Sequence, residues 1–171
     1  MGLRQQLNGF LAKIFTRVPL VGRIWGKLAR VEEEKDVPWT PIIKPLQEGR
    51  ICLITTGGLH LRNDRPFNME DPEGDPTYRI IPSDARAEDL TITHNYYDHR
   101  DADRDFNILL PLDRLRELVR EGLVSELTPS HYSFMGHIAG AHLAVLKKKI
   151  LPELVSRMAV EKPDIAFLTP A

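Results

Sequence analysis

The densest group of side chains able to do chemistry runs Thr93-His94-Asn95-Tyr96-Tyr97-Asp98-His99-Arg100-Asp101-Ala102-Asp103-Arg104-Asp105. Two imidazoles and four carboxylates fall within residues 94–105. Imidazole titrates near neutral pH, and beside carboxylates it can pass protons or ligate a divalent metal. His94, Tyr96, Asp98, His99 and Asp101 are therefore candidates to line a pocket that transfers protons or binds an ammonium group. The competing reading is a solvated acidic loop in which Arg100 and Arg104 pair with the aspartates.

Thr93-His94-x-Tyr96-x-Asp98-His99 also has the spacing of the two-zinc motif of metallo-β-lactamase-type hydrolases, but Tyr96 stands where that motif has its second histidine. The hairpin-rich start of that fold is missing too. No metal is assigned to the chain, and a zinc hydrolase through His94, Asp98 and His99 stands only as the third reading.

A second group is Thr55-Thr56-Gly57-Gly58-Leu59-His60, where a double glycine lets the backbone turn sharply or approach a ligand. It is no phosphate loop, because the Walker lysine and its spacing are missing. Thr56, Gly57, Gly58 and His60 are candidate substrate-binding residues, as are His131 and Ser133 ahead of the last long helix. Ser133 is expected to cap that helix, whose N-terminal N–H groups would suit a substrate carboxylate. Ordinary packing or capping is the competing reading for His131, His137 and His142. Cys52, the one cysteine, lies mid-strand and reads as a buried, inert thiol.

The elements that must position these groups follow from periodicity. Residues 50–55 are a short apolar, β-branched run, as expected of a strand buried on both faces. Residues 61–88, with Pro66, Pro72, Gly74, Pro76 and Pro82 among many charges, read as a long loop. Leu90–Thr93 reads as a strand, Pro111–Glu121 as a helix ended by Gly122, and Leu123–Leu127 as a short strand. Ala139 to about Lys162 reads as a helix kinked at Pro152, and Asp164–Thr169 as another buried strand. Strands alternating with helices predict an α/β fold with a mainly parallel, Rossmann-like sheet, incomplete at the C-terminus.

The 171 residues fit one domain, and 42% apolar content supplies a core. The net charge of -1 hides an asymmetry. Residues 1–30 carry six Lys or Arg and no acid, while 62–105 carry twelve acids against six Arg. Leu3, Leu7, Phe10, Leu11, Ile14 and Val18 recur at helical spacing, so 1–30 is a basic amphipathic helix, broken near Pro19. Packing on its own domain or a second subunit is the first reading of that helix, and a membrane surface the second. Residues 31–49 form a Pro-rich linker, and 50–171 the α/β domain. One cysteine excludes a disulfide framework and a multi-Cys zinc site, and the near-neutral charge gives no reason to expect a nucleic-acid partner. With no long apolar span and no secretory signal pattern, a cytoplasmic protein is expected.

Several segments together resemble the glycine/sarcosine/betaine/D-proline reductase selenoprotein B family. They are Val37-Pro38-Trp39-Thr40-Pro41, Thr55–His60, Asp71-Pro72-Glu73-Gly74-Asp75-Pro76, Asp89–Asp105, Pro111–Leu115, His131–Gly136 and Leu168-Thr169-Pro170-Ala171. The resemblance covers about residues 37–171. It implies a subunit of a reductase that cleaves a C–N bond in glycine, sarcosine, betaine or D-proline, with electrons from dithiols. It also implies a partner subunit bearing a pyruvoyl group and a selenocysteine or cysteine in a short Sec/Cys-x-x-Cys motif. That motif follows the strand corresponding to Asp164–Thr169, so the nucleophile is expected just after Ala171 and the chain alone is expected to be inactive. A stop read at a selenocysteine codon, a split gene and a truncated paralogue are the three origins this allows. A non-catalytic subunit docking through residues 1–30 is the alternative function, and a homo-oligomer is open to either.

Overall fold

A computed structural model describes residues 40–171. The basic segment 1–30 and residues 31–39 of the linker, Trp39 among them, lie outside the described residues. The described residues fall into two compact units. The larger spans Lys44–His94 and His99–Ala171; Thr40–Ile43 and Asn95–Asp98 belong to the other. In the latter, Thr40–Ile43 is exposed, non-regular chain, and Asn95–Asp98 is a half-buried bend.

The larger unit is built on β1 (Arg50–Thr55). Its alternation sends Leu53 and Thr55 to one face of the sheet and Cys52 and Ile54 to the other. It pairs in parallel with β7 (Ile165–Thr169) along one edge, from Ile51↔Ile165 to Thr55↔Thr169. On its other edge it pairs in parallel with β5 (Glu126–Leu127) and then β6 (Ser130–Ser133). Between these two strands the Thr128 N–H donates to the Ile51 carbonyl (2.9 Å), and His131 Nδ1 accepts the Leu53 N–H at 3.1 Å. A side chain thus stands in for the ladder acceptor where Pro129 interrupts the pairing.

The expected mainly parallel, Rossmann-like sheet is corrected to a mixed one. β3 (Arg79–Pro82) lies inside the stretch read as loop and pairs antiparallel with β6, from Arg79↔Ser133 to Pro82↔Ser130. Its four residues are too short, and too hemmed by proline and charge, to show a period in sequence. β2 (Leu59–Leu61) and β4 (Leu90–Ile92) form a separate two-stranded antiparallel sheet, so the strand expected at 90–93 is no part of the main sheet.

Helix α1 (Leu112–Arg120) follows Pro111, and Gly122 at φ 71° ends it. Helices α2 (Gly140–Val145) and α3 (Leu151–Glu161) run on from one another through a wide π turn at Leu146–Ile150. Proline cannot donate to the preceding turn, and the wide turn just before Pro152 accommodates the lost bond in place of the expected kink. One face of the sheet buries Leu53 and Ile81 against Leu59, Leu110 and Leu112. The other buries Cys52, Tyr132 and Phe134 against Ile150 and Leu154.

Two further expectations change. Ser133 caps no helix: it is the buried last residue of β6, and Ala139 precedes α2. β7, expected to be buried, leaves Phe167 48% and Leu168 66% exposed, because it is an edge strand among the described residues.

Candidate functional site

Three parallel strands, β1, β6 and β7, end at the same edge, and the turn Thr55–Gly58 binds those ends together. The Thr55 carbonyl accepts the Phe134 N–H (2.8 Å), and the Gly58 N–H returns to the Phe134 carbonyl (2.8 Å). The Thr56 N–H donates to the Thr169 carbonyl (3.1 Å), and Thr56 Oγ1 accepts the Ala171 N–H (3.1 Å). Gly58 then receives the Thr93 N–H on its carbonyl (2.9 Å), which delivers the end of β4 to the same place. Gly58 has φ 70°, and a Cβ there would lie 2.6 Å from the Thr93 carbonyl oxygen. Only glycine serves where the backbone turns left-handed against another backbone.

His94 follows directly, and it is 6% exposed. Burial pushes its imidazole down from 6.5 to about 4, helped by His99 and His137 and opposed by a hydrogen bond to the Met135 backbone. His94 is therefore neutral at neutral pH. It offers a hydrogen bond or accepts a proton, but carries no charge to repel an ammonium group or hold a carboxylate. Gly136, at φ 80°, forms the facing wall: a Cβ there would sit 2.7 Å from the Thr56 carbonyl oxygen and 3.6 Å from His94 Nε2. The strand ends thus bring Thr56, Gly58, His94 and Gly136 together.

The other predicted residues are placed differently. His99 Nδ1 pairs with Asp103 Oδ2 at 2.8 Å, and Asp101 pairs with Arg104 (3.3 Å) with both side chains more than 80% exposed. From Asp101 to Arg104 the charged side chains of the run are exposed and ion-paired, whereas His99 is half-buried. Tyr96 and Asp98 lie in the half-buried bend of the smaller unit. Gly57 is buried in the turn, its N–H donating to Thr55 Oγ1 at 3.2 Å. His60 is buried in the small sheet, Nδ1 on the Leu61 carbonyl (2.7 Å) and Nε2 on Thr93 Oγ1 (2.8 Å). His131 is fully buried mid-strand, and burial pushes it down to about 4 as well. The N-terminus of α2 does not wait for a substrate carboxylate, since Glu73 Oε2 accepts the Ala141 N–H at 3.0 Å. His137 Nε2 bonds the Pro72 carbonyl (3.0 Å), and His142 pairs with Asp71 (2.9 Å). Cys52 is buried, and desolvation lifts its thiol to about 11, so it is inert. Among the described residues no three His, Cys, Asp or Glu side chains converge as metal ligands, so the zinc reading finds no ligand set there.

Sequence reasoning found Thr56 and His94 but missed Gly136 and Thr169 as the residues that close the site. Their signals, a lone glycine after a histidine-rich run and a threonine at a strand's end, are too common to stand out. Two open clefts among the described residues lie elsewhere. One, of about 670 Å³, runs along α1 past Ser83, Arg116 and Leu127; another, of about 460 Å³, lies between Asp71, Arg79 and His142. No helix among the described residues is long and apolar enough to cross a membrane.

Comparison with known proteins gives this site a context. Residues 21–169 match the family described as Glycine/sarcosine/betaine reductase selenoprotein B. The D-proline reductase subunit gamma of Acetoanaerobium sticklandii is 34% identical over 131 residues, which cover 77% of this chain and 52% of that subunit. The sarcosine reductase complex component B subunit beta of Peptoclostridium acidaminophilum is 32% identical over 103 residues, 58% of this chain and 23% of the relative. The glycine reductase complex component B subunit gamma of Symbiobacterium thermophilum is 32% identical over 104 residues, 59% of this chain and 24% of the relative. The chain thus spans about half the length of the first relative and about a quarter of the others. No solved structure matches it. A match running through nearly every described element, from β1 to β7, leaves one assignment: the chain belongs to the glycine/sarcosine/betaine reductase selenoprotein B family.

Proposed function

We propose that this chain forms the substrate-facing frame of a subunit of a dithiol-dependent amino-acid reductase. Its substrate is a glycine, sarcosine, betaine or D-proline type molecule whose C–N bond is cleaved reductively. A dithiol gives up two electrons and becomes a disulfide, the carbon gains hydrogen, and the nitrogen leaves it as an amine. The observation that carries this reading is the convergence of the β1, β6 and β7 ends on Thr56, with the buried neutral His94 beside it. By resemblance to the family, the reading expects a selenocysteine or cysteine beyond the carboxyl end of β7 and a pyruvoyl group in a partner subunit.

The residues present suit a nucleophile at that place. Thr56 fixes the backbone at Ala171 through its hydroxyl, which sets the direction in which the chain leaves β7. A selenol or thiol would supply attack on the substrate as its ionised form. His94, neutral, orients a polar group of the substrate through a hydrogen bond. Gly58 and Gly136 keep side chains out of the space around that imidazole.

The test uses the coding frame continued past Ala171, with its next codon read as selenocysteine or replaced by one for cysteine, together with the partner subunits. Dithiol-dependent amine release or ring opening is expected with one of the four substrates. His94→Gln should lower turnover at least about tenfold. Absence of turnover with all four, or full turnover of His94→Gln, overturns the reading.

A further inference from the structure

The two edges of the main sheet are built differently. At one edge, β3 reads Arg79-Ile80-Ile81-Pro82. Arg79 donates to the Arg65 carbonyl (2.7 Å) and lies over the Phe67 ring at 4.3 Å, while Pro82 has no N–H to offer a neighbour. A charge and a proline are the usual guards of an edge strand. At the other edge, β7 reads Ile165-Ala166-Phe167-Leu168-Thr169 and has neither guard. All five residues pair with β1 on one side, and no described strand pairs with the other side.

Its side chains make the same contrast. Phe167 is in register with Leu53 and so projects on the face that buries Leu53, Ile81 and Leu110. Leu168 is in register with Ile54 and projects on the face covered by the π turn and α3. Both are exposed, at 48% and 66%. A continuous apolar run with large side chains on both faces is the sequence of an interior parallel strand, which needs a neighbour in the ladder and cover on each face. Five residues of such a strand left bare are a ready template for another chain.

The relatives indicate what occupies this edge. The D-proline reductase subunit gamma has nearly half its length outside the matched region. We infer that the free edge and both apolar faces of β7 are a docking surface for a βα unit from that other half of the family's length, with its strand parallel to β7 and its helix over Leu168. Leu168 anchors the helix-side contact and Phe167 the opposite one. The inference rests on family membership and the geometry of β7. It does not depend on the proposed chemistry at His94, and an association assay separates its failure from a failure of turnover.

The test mixes this 171-residue chain with a probe polypeptide. The probe is the longer segment of the Acetoanaerobium sticklandii D-proline reductase subunit gamma lying outside the matched 131 residues. A one-to-one complex is expected by analytical ultracentrifugation, with amide exchange of residues 165–169 slowed at least tenfold. Leu168→Lys and Phe167→Asp should each weaken it at least tenfold. Leu123→Lys, which alters a residue 47% exposed after α1, should leave it intact. Circular dichroism and the urea midpoint of each variant show that it is folded. No complex, or a complex whose β7 amides exchange as in the free chain, overturns the inference. So does a concentration-dependent dimer of this chain that protects the same amides and excludes the probe, since the occupant is then a second copy.

Discussion

Two buried histidines should make this protein sensitive to mild acid, in a pH window that its carboxylates do not share. His94 and His131 both lie well below their ordinary 6.5, at about 4, with burial the main cause. The unfolded chain therefore takes up a proton on each near pH 6.5, while the folded chain refuses it until about pH 4. Each contributes stability that is present above the unfolded value and is lost as pH falls through this interval. From pH 7 to pH 5 the linkage integral gives about 2 kcal/mol for each histidine, or about 4 kcal/mol for both. The lowered carboxyls of Asp71, Asp75 and Asp164 start from 3.8 and act only below this window. Urea unfolding of the 171-residue chain at pH 7 and pH 5 measures the loss directly. His131→Asn keeps an acceptor for the Leu53 N–H and removes the titration, so its loss should be smaller by about 2 kcal/mol than that of the parent. His94→Gln should behave alike, and the double variant should be nearly flat over this interval. If either variant loses as much stability as the parent between pH 7 and pH 5, that histidine is not held neutral by burial and the reasoning fails.

Gly136→Ala should cost about 1–3 kcal/mol in urea unfolding and shift the His94 imidazole resonances, because the new Cβ meets the Thr56 carbonyl at 2.7 Å in a left-handed backbone. Gly122→Ala, with φ 71° and nothing within 4 Å, is the control and should cost only about 1 kcal/mol. Tyr132→Phe should be neutral or stabilising in a thermal melt, because the Tyr132 hydroxyl is buried with no hydrogen-bond partner. A loss above about 1 kcal/mol would mean that this hydroxyl makes a bond of typical worth.

How much of this was legible in the sequence depended on what each residue had to bury. β1 and β7 could be read as strands because their short apolar runs have one meaning in a chain of this size. α1 could be read because Pro111 and Gly122 mark its ends. β6 could not: His131 and Ser133 are polar, and they are buried only because β1 and β3 flank them. His60 and His131 were candidates for substrate binding, yet both bond their own fold through ring nitrogens. A histidine that satisfies a backbone group and one that meets a ligand look the same in sequence, since each needs burial and one specific partner. Glu73 at the start of α2 was invisible for a related reason, because its cap lies 68 residues away from the N–H it accepts. The site itself was half legible. The double glycine after a strand announced Thr56 and Gly58, but the closing wall at Gly136 depends on how β6 ends.

The site and the edge of β7 are joined physically through Thr56. Its N–H and hydroxyl hold Thr169 and Ala171, and its carbonyl faces Gly136 beside His94. A group with its pKa at about 4 is protonated in roughly one molecule in a thousand at pH 7. It holds no acidic proton to give there and is a weak base, so it serves as a neutral hydrogen-bonding group. Were a βα unit laid against β7 to remove more water from around His94, desolvation would act further against the charged imidazole. Covering the edge therefore cannot turn His94 into an acid; it can only strengthen its neutral role. The positive and negative charges needed to hold an amino acid must then come from groups other than His94, the partner that covers the edge among them.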